Sequence, residues 1–513
     1  MILLVCSGAY IESDLRTEFG DIPPSFLPVQ NKRLYEHQFQ NVPHGITKYL
    51  ALPQDYEIST KDQERLDELK VEVIPAPTTL GLGEAIVFYL NYIGRYEEPL
   101  ALLHGDTLIG DLDFGIADHF ALGRVSDHYQ WASVPDHPPG VTYAGLFVFA
   151  NIKNLITALL STGYKFLEAI EAYRANNEVE LKVSETWQDF GHSNTYYRSK
   201  ALYSTERGFN NLSFKHKVFH KSSKQTNKIT GEVNWFQSIP AELQVFTPKL
   251  LNHYNTPEES GYDIEYVSLS TLSELFVFGR LPAPGWEPIF NACHDFLSVA
   301  AKVTTPKHFE PDNLFGNKTL SRLEQFAEDS GIDIEHEWRF NKIPTPSLVS
   351  IAQQTADMIP PPVVSDIGLI HGDFCFSNVL YDFRSQTIRV IDPRGINTSG
   401  EPSIFGDRRY DLAKLGHSVV GLYDVIIAGY YQFQQLGEHE LSFSIDASAR
   451  QPIINAFWDH GLAELQPKPV DLYPMLIQLF LSMLPLHADS KQRQWALLSN
   501  GLRLFQQLEE LRP

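Results

Sequence analysis

Within the stretch "LIHGDFCFSNVLYDFRSQTIRVIDPRG", residues 369–395, two of the carboxylates and one carboxamide have a spacing that could do chemistry: Asp373, Asn378 and Asp392. Asp373 and Asn378 have the D-x-x-x-x-N spacing in which an acid receives the proton of an attacking hydroxyl and an amide oxygen helps to hold magnesium. Asp392 follows "IRVI", a strand-like run that places a further acid beside them. Phosphoryl transfer asks little covalent help of a protein, so a positioning carboxylate and acidic or amide metal ligands carry much of its chemistry. The stretch therefore points to phosphoryl transfer. The plainer alternative, in which His371, Asp373 and Asn378 only cap a turn between buried strands, leaves the spacing of Asp392 unexplained. A second His-Gly-Asp, at His104 to Asp106, ends the apolar run "LALLHGD" in dissimilar surroundings.

These groups need rigid elements to hold them. From Met1 to about Leu202, β-rich runs such as "MILLVC", "VEVIPA" and "YAGLFVFA" alternate with helical patterns such as "EAIVFYLNYIG". Such alternation predicts an α/β unit with a mostly parallel, Rossmann-like sheet, whose ligands sit at the carboxyl ends of strands. From about Glu206 the texture changes. "LSFKHKVFHKSSK" and "YDIEYVSL" read as strands, and "NKITGEVNWFQSI" starts a helix. Long helical patterns follow from about Thr271, including "RRYDLAKLGHSVVGLYDVIIAGYYQF" and "MLIQLFLSMLPLH", the latter a core-packing helix. "MIPPPVVSD" ends a helix and leads into the strands around Asp373. The expected division is 1–205, 206–268 as a small β-rich lobe, and 269–513 as a helical lobe: an α/β unit followed by an α+β bilobal one.

At 513 residues, 43% of them hydrophobic, the chain has material for more than one core. A formal charge of −22 argues against general binding to nucleic acid or to anionic membrane surfaces. Cys6, Cys293 and Cys375 are far apart and lack CxxC spacing, which fits a reducing compartment and speaks against a disulfide framework. The start "MILLVCSGAYIESD" reads as a buried first strand rather than a signal peptide, and no apolar run reaches the roughly 20 residues that span a bilayer. A cytoplasmic location without membrane insertion is the expectation, with oligomeric state left open. The histidines His37, His44, His104, His119, His128 and His137 lack HxxxH or HxH spacing, so core or solvated histidines are the better reading than a metal site.

"HGDFCFSN" followed by a strand and Asp392 resembles the aminoglycoside phosphotransferase and choline kinase group of small-molecule kinases, which fits the protein-kinase-like fold expected of residues 206–513. The resemblance implies that Asp373 is the catalytic base, Asn378 and Asp392 bind Mg²⁺, and His371 and Gly372 shape the loop. It further implies an ATP-contacting lysine on a strand of the small lobe, with a glutamate on the next helix to hold it. Lys221 and Glu232 fit, with Lys215, Lys217 and Lys224 as rivals, and Tyr266 lies where a hinge strand would meet adenine. "IDPRG" follows the second strand where related kinases more often continue differently.

The first 205 residues resemble the sugar-phosphate nucleotidyltransferases. "FLPVQNKRLYEHQ" is similar to their LPVxGKPLIE segment, "TTLGLGEAI" to GTAGA, "HGDTL" to the GD metal motif, "YAGLFVF" to NxGIYVF, and "WQDFG" to the late metal-binding segment. The resemblance implies that Asp106 and Asp189 bind Mg²⁺, that Lys32 contacts phosphate, and that Gly81 and Gly83 let the chain approach the nucleotide. The family's opening loop is GxGxRL followed by a Pro-Lys pair. Here it reads "CSGAYIESDLRTEFGDIPPSF", with Ser7 and Gly8, a displaced Arg16, and Ser25 in place of the lysine. Arg16 and Lys32 are the cations left to neutralise a triphosphate.

Together the resemblances imply a bifunctional transferase. The kinase would phosphorylate a small sugar, polyol or amino alcohol with ATP. The N-terminal part would join the product to a nucleotide from CTP, UTP, GTP or dTTP, for surface glycan or head-group synthesis. A choline-type kinase with a CTP-dependent cytidylyltransferase is one alternative. A kinase carrying a non-catalytic nucleotide-binding or assembly domain is the other.

Overall fold

The protein is described from a computed structural model covering all residues except 111, 116, 126–130, 203–210, 216, 308, 463–467 and 513. The expected border at 205/206, the side chain of Lys215, and His128 lie outside the described residues. The chain divides into two compact units: Met1–Tyr203 with Phe278–Arg280, and Ser204–Val277 with Leu281–Pro513.

The first unit is organised by a seven-stranded sheet. Its strands are β1 (Ile2–Cys6), β2 (Thr47–Pro53), β3 (Val71–Ala76), β4 (Leu100–His104), β5 (His119–Arg124), β6 (Val141–Phe149) and β7 (Glu180–Val183). Across the sheet they run β7-β5-β6-β4-β1-β2-β3. Only β6 is antiparallel to its neighbours, β4 and β5. The mixed α/β sheet with predominantly parallel strands is thus present. Ile2, Leu3, Leu4 and Val5 of β1 are all fully buried, as a central strand covered on both faces requires. Helix α1 (Leu82–Ile93) opens at Gly81, whose N–H donates to Glu84 Oε2 at 2.9 Å, and closes at Gly94 in the left-handed region, φ +68°.

The second unit contains a four-stranded antiparallel sheet: β8 (Asn211–Lys215), β9 (Val218–Ser223), β10 (Leu250–Asn255) and β11 (Ser260–Glu265), in the order β8-β9-β11-β10. Helix α2 (Thr226–Ser238) lies between β9 and β10 in sequence and buries Ile229, Glu232, Val233, Trp235 and Phe236. The remainder is mostly helical, with α3 (Asn317–Ser330), α4 (Arg409–Val419), α5 (Pro469–Ser482) and α6 (Lys491–Leu511). The motif strands form a hairpin of β12 (Val379–Asp382) and β13 (Thr387–Val390).

Two sequence expectations are corrected here. The run 408–433 is not one long helix: α4 ends at Val419, Leu422 turns into the left-handed region at φ +58°, and after a short helix Tyr423–Ile427 the chain becomes the strand Gln432–Gly437. Gly421 and that turn interrupt an apolar pattern that periodicity alone reads as continuous. The helical lobe also holds a small sheet that the sequence did not reveal. It is built from Trp338–Phe340, Ile343–Thr345, Gln432–Gly437 and Glu440–Ser444, segments paired over about a hundred residues.

Candidate active sites

In the second unit, β9 carries Lys221 and α2 carries Glu232. Lys221 Nζ lies 2.8 Å from Glu232 Oε2 and 3.0 Å from Asp392 Oδ1. The Lys221 and Glu232 side chains are 2% and 1% exposed, whereas Asp392 is 33% exposed and open to a ligand. Burial opposes the lysine's charge, yet Asp392 and Glu232 together hold its pKa above the usual value. The Tyr262 hydroxyl on β11 donates to the same Glu232 oxygen at 2.8 Å, a contact the sequence did not announce.

Close backbone packing sets this trio. A Cβ on Gly395 (φ +62°) would lie 2.0 Å from Gly231 O, and one on Gly231 would lie 2.3 Å from Ile396 Cγ2. Only residues without side chains allow the "DPRG" loop to press against α2 one residue before Glu232. Asp392 itself is left-handed, φ +57°, an unusual conformation for a residue with a side chain.

The loop with Asp373 is held from below by α4. Asp411 accepts the N–H groups of His371 and Gly372, each at 2.7 Å, through its two oxygens. His371 is fully buried, accepts the Asp373 N–H at Nδ1 (3.3 Å), and is pushed by burial to about 4, so its ring is neutral at pH 7. Gly372 has φ +78°, and a side chain there would run into Arg394. Asn378 Nδ2 donates to the Asp373 backbone carbonyl and to Oδ2, both at 2.9 Å. Lys414 Nζ lies 2.7 Å from Asp373 Oδ1. Burial works against the Asp373 charge, but Lys414 and Arg394 hold its pKa well below the usual carboxylate range.

Hard oxygen ligands suit Mg²⁺. Asn378 turns its NH₂ toward Asp373, which leaves its oxygen as an acceptor, and the Ile391 N–H bond to Asn378 O (3.0 Å) brings Asp392 alongside. These two residues therefore fit a magnesium site. Tyr266 follows the end of β11, its N–H donating to Lys217 O at 3.0 Å.

In the first unit, Asp106 follows β4 and Asp189 ends the strand Trp187–Asp189. That strand pairs with Thr107–Ile109, Asp189 opposite Thr107, and Phe190 N–H donates to Asp106 O at 2.8 Å. A Cβ on Gly191 would lie 2.4 Å from Asp106 Oδ2. The topology thus sets the backbones that carry the two acids side by side from 83 positions apart in sequence. Asp189 is buried and accepts the Thr195 hydroxyl. Buried Gln38 clamps the strand end by donating to Gly105 O at 3.1 Å and Thr107 O at 2.8 Å.

The first loop is tied shut. Ser7 Oγ accepts the Ser25 N–H at 3.0 Å, and the Ser25 hydroxyl donates to Gly105 O at 3.0 Å. A Cβ on Gly8 would meet the Tyr89 hydroxyl at 2.1 Å. Arg16 is half exposed and ion-paired with Asp21, while Lys32 is exposed in the hairpin of Pro28–Val29 and Lys32–Arg33. Gly81 is the exposed start of α1, and the space a Gly83 side chain would need holds the carbonyl of Tyr164, at 2.1 Å. Among the described residues no group of three or more His, Cys, Asp or Glu side chains could hold a metal, and the three cysteines are free. No helix among them is long and apolar enough to cross a membrane.

Sequence reasoning missed Tyr262, Gln38, Asp411, Lys414, Arg394 and Tyr410. Their only sequence signal was proximity to a motif for Arg394 and helical i, i+4 spacing for Tyr410 and Lys414.

The sequence matches no protein-family model and no curated protein. Among solved structures the chain is similar to HddC from Yersinia pseudotuberculosis, with 17% identity, 40% of this chain and 99% of that one covered, and a TM-score of 0.30. It is similar to an aminoglycoside-3′-phosphotransferase of type VIII, with 14% identity, 60% and 99% covered, and a TM-score of 0.29. A thermostable mutant of aminoglycoside phosphotransferase APH(4)-Ia in a ternary complex with AMP-PNP and hygromycin B gives 13% identity, 59% and 92% covered, and a TM-score of 0.36.

Proposed function

We propose that the chain is a bifunctional transferase: residues 206–513 phosphorylate a small hydroxylated metabolite with ATP, and residues 1–205 join the product to a nucleotide, releasing pyrophosphate. The observation that carries the kinase reading is the buried Lys221 held between Glu232 and Asp392, in the same unit as Asp373 with its Asn378 partner. Lys221 contacts the nucleotide phosphates, and Glu232 with Tyr262 fixes its position. Asn378 and Asp392 would hold Mg²⁺, which when bound would neutralise phosphate charge. The acceptor hydroxyl docks on Asp373. Its oxygen forms the new bond to the γ-phosphorus as the bond to ADP breaks, and the hydroxyl proton passes to Asp373. A carboxylate held so far below its usual range is a weak base, so its main work is to orient the hydroxyl, with proton transfer late in the step.

The nucleotidyl reading rests on the strand pairing that sets the segments of Asp106 and Asp189 side by side just past the carboxyl end of β4, where sheets of this type bind ligands. They would hold Mg²⁺, with Lys32 and Arg16 as the cations toward phosphate. The products would serve glycan or head-group synthesis. One observation favours a second reading, in which the first unit binds or assembles without catalysis: Ser25 is fully buried and closes the first loop onto Gly105, and Arg16 is engaged by Asp21.

The test is release of ADP and of pyrophosphate by the full chain with Mg²⁺, ATP, each nucleoside triphosphate, and a panel of sugars, polyols and amino alcohols. Asp373→Ala should abolish ADP formation, and Asp106→Ala should abolish pyrophosphate release alone. ADP without pyrophosphate under every condition would leave only the kinase.

A further inference from the structure

A group of cations surrounds Tyr410; the reaction as proposed uses Lys414 and Arg394 to keep Asp373 charged but gives Lys318 and Arg322 no role. Arg394 Nη2 donates to the Tyr410 hydroxyl at 2.7 Å, and its guanidinium carbon lies 4.6 Å from the ring centre. Lys318, from the first turn of α3, reaches over the same ring at 6.0 Å. Arg322, one turn further on, donates to Ser482 O at 2.9 Å, and Lys414 follows Tyr410 by one turn of α4 and touches Asp373. Tyr410 is 3% exposed, while Lys318, Arg322, Arg394 and Lys414 are partly exposed around it.

The positive charge is poorly balanced. Asp373 is the ion-pair partner of Lys414 alone, and among the described residues Lys318, Arg322 and Arg394 enter no ion pair. Asp411 is spent on two backbone amides. Glu310 and Asp312 line a neighbouring hollow that Arg394 also borders, where Asp312 accepts the Thr398 N–H. Arg394 faces Asp373 and Asp411 without pairing to either, and Lys318 and Arg322 face no carboxylate, so these cations, in a chain of net charge −22, are costly to gather unless an anion joins them. Lys318 registers that field: burial, together with Arg394, Arg322 and Lys414, brings it down to about 8.

Resting on the kinase reading, we infer that the acceptor is itself an anion, a hydroxylated compound whose carboxylate or phosphate is held by Lys318, Arg322 and Arg394 while its hydroxyl meets Asp373. Fork-shaped guanidinium groups beside an ammonium suit either oxyanion. The plain alternative is that these cations only brace Tyr410, in which case they affect folding and not the choice of acceptor.

The experiment measures ADP release by the full chain with Mg²⁺ and ATP, using matched acceptors: glycerol and glycerol 3-phosphate; glucose, gluconate and glucose 6-phosphate; choline and ethanolamine. AMP-PNP binding is measured in parallel. Lys318→Gln, Lys318→Arg and Arg322→Gln are compared with wild type, each checked by thermal unfolding. The inference expects the anionic member of a pair to be preferred, gluconate and the phosphates separating the two oxyanions. It expects Lys318→Gln to raise KM for that acceptor about ten- to a hundredfold, with KM for ATP within about twofold, and Lys318→Arg to recover most of the loss. Preference for a neutral or cationic acceptor, with KM unmoved by Lys318→Gln, overturns the inference and leaves the kinase reading standing. A rise in KM for ATP assigns the cations to the nucleotide and overturns it as well. If AMP-PNP does not bind and no acceptor of any charge yields ADP, the kinase reading and the inference fall together.

Discussion

Gly395 and Gly231 meet backbone to backbone: the place where a Cβ of Gly395 would stand is 2.0 Å from the carbonyl oxygen of Gly231. This contact sets the distance between Asp392 and Glu232, the two acids that share Lys221. Gly395→Ala forces the loop off α2 and also strains a left-handed position. Displacement of a positioned group by about 1 Å can cost about a hundredfold in rate. We expect ADP formation to fall by about that factor, with the variant still folded by circular dichroism. A variant that is folded and fully active would show that the spacing is not critical.

The buried pair itself makes a sharper demand. Lys221→Met leaves Glu232 without its main partner in an apolar setting, and breaking a buried pair in this way costs about 3–5 kcal/mol. Glu232→Gln keeps the shape and the acceptor oxygen and should cost less. Urea unfolding of both variants, read with ADP formation, checks the order. Equal stability of Lys221→Met and wild type would argue against the pairing.

Asp411 offers a pH test. Burial, partly offset by the amides of His371 and Gly372, raises its carboxyl to about 7. An unfolded aspartate titrates near pH 4, at about 3.9. Between about 4 and 7 the folded state therefore keeps a proton that the unfolded state has lost, so this group's contribution to stability falls as pH rises through that window. Asp411→Asn removes the slope. Its NH₂ cannot accept the second amide, so at low pH the variant should also be less stable by about 1–3 kcal/mol. Unfolding free energies at several pH values decide. A wild-type-minus-variant difference that is flat from pH 4 to 7 would contradict the assignment.

Acceptor binding should weaken in mild alkali. Lys318 loses its proton near 8. Burial of Tyr410 resists ionisation, but Arg394, Lys414 and Lys318 bring it to about 8 too, so a phenolate forms there as pH rises. Both changes reduce net positive charge around the ring, and Arg322 and Arg394 stay charged throughout. KM for an anionic acceptor should climb from about pH 8 upward while KM for a neutral analogue stays level. Steady-state kinetics from pH 6.5 to 9.5 test this.

In the first unit, Asp106→Ala and Asp189→Ala should each abolish pyrophosphate release while leaving ADP formation intact, because both acids belong to a separate compact unit. Pyrophosphate release that survives both changes would remove the two-acid metal site.

Much of this was readable in the chain. The strand-helix alternation over the first 202 residues announced a mostly parallel sheet, because strands buried on both faces must be apolar throughout, as Ile2 to Val5 are. Short-range chemistry was equally legible: Asp373 and Asn378 lie five residues apart and hydrogen-bond directly. The pairing of Lys221 with Glu232 spans eleven residues, a strand and the helix after it, and was within reach of a motif. Periodicity misled at 408–433, where a left-handed Leu422 ends what the apolar pattern continues.

What the sequence by itself determined, then, is the local order of elements and the acids carried on short motifs, since spacing within one strand-turn-strand is set by covalent geometry. Tertiary structure alone decided which distant groups govern those acids. Asp411 reaches His371 across 40 residues, Gln38 reaches Gly105 across 67, and Lys318 joins Arg394 around Tyr410 from a different helix. Nothing in one-dimensional spacing encodes such meetings, because they arise from how helices and loops pack on a shared core. The charge balance at Asp373 is a property of that packing.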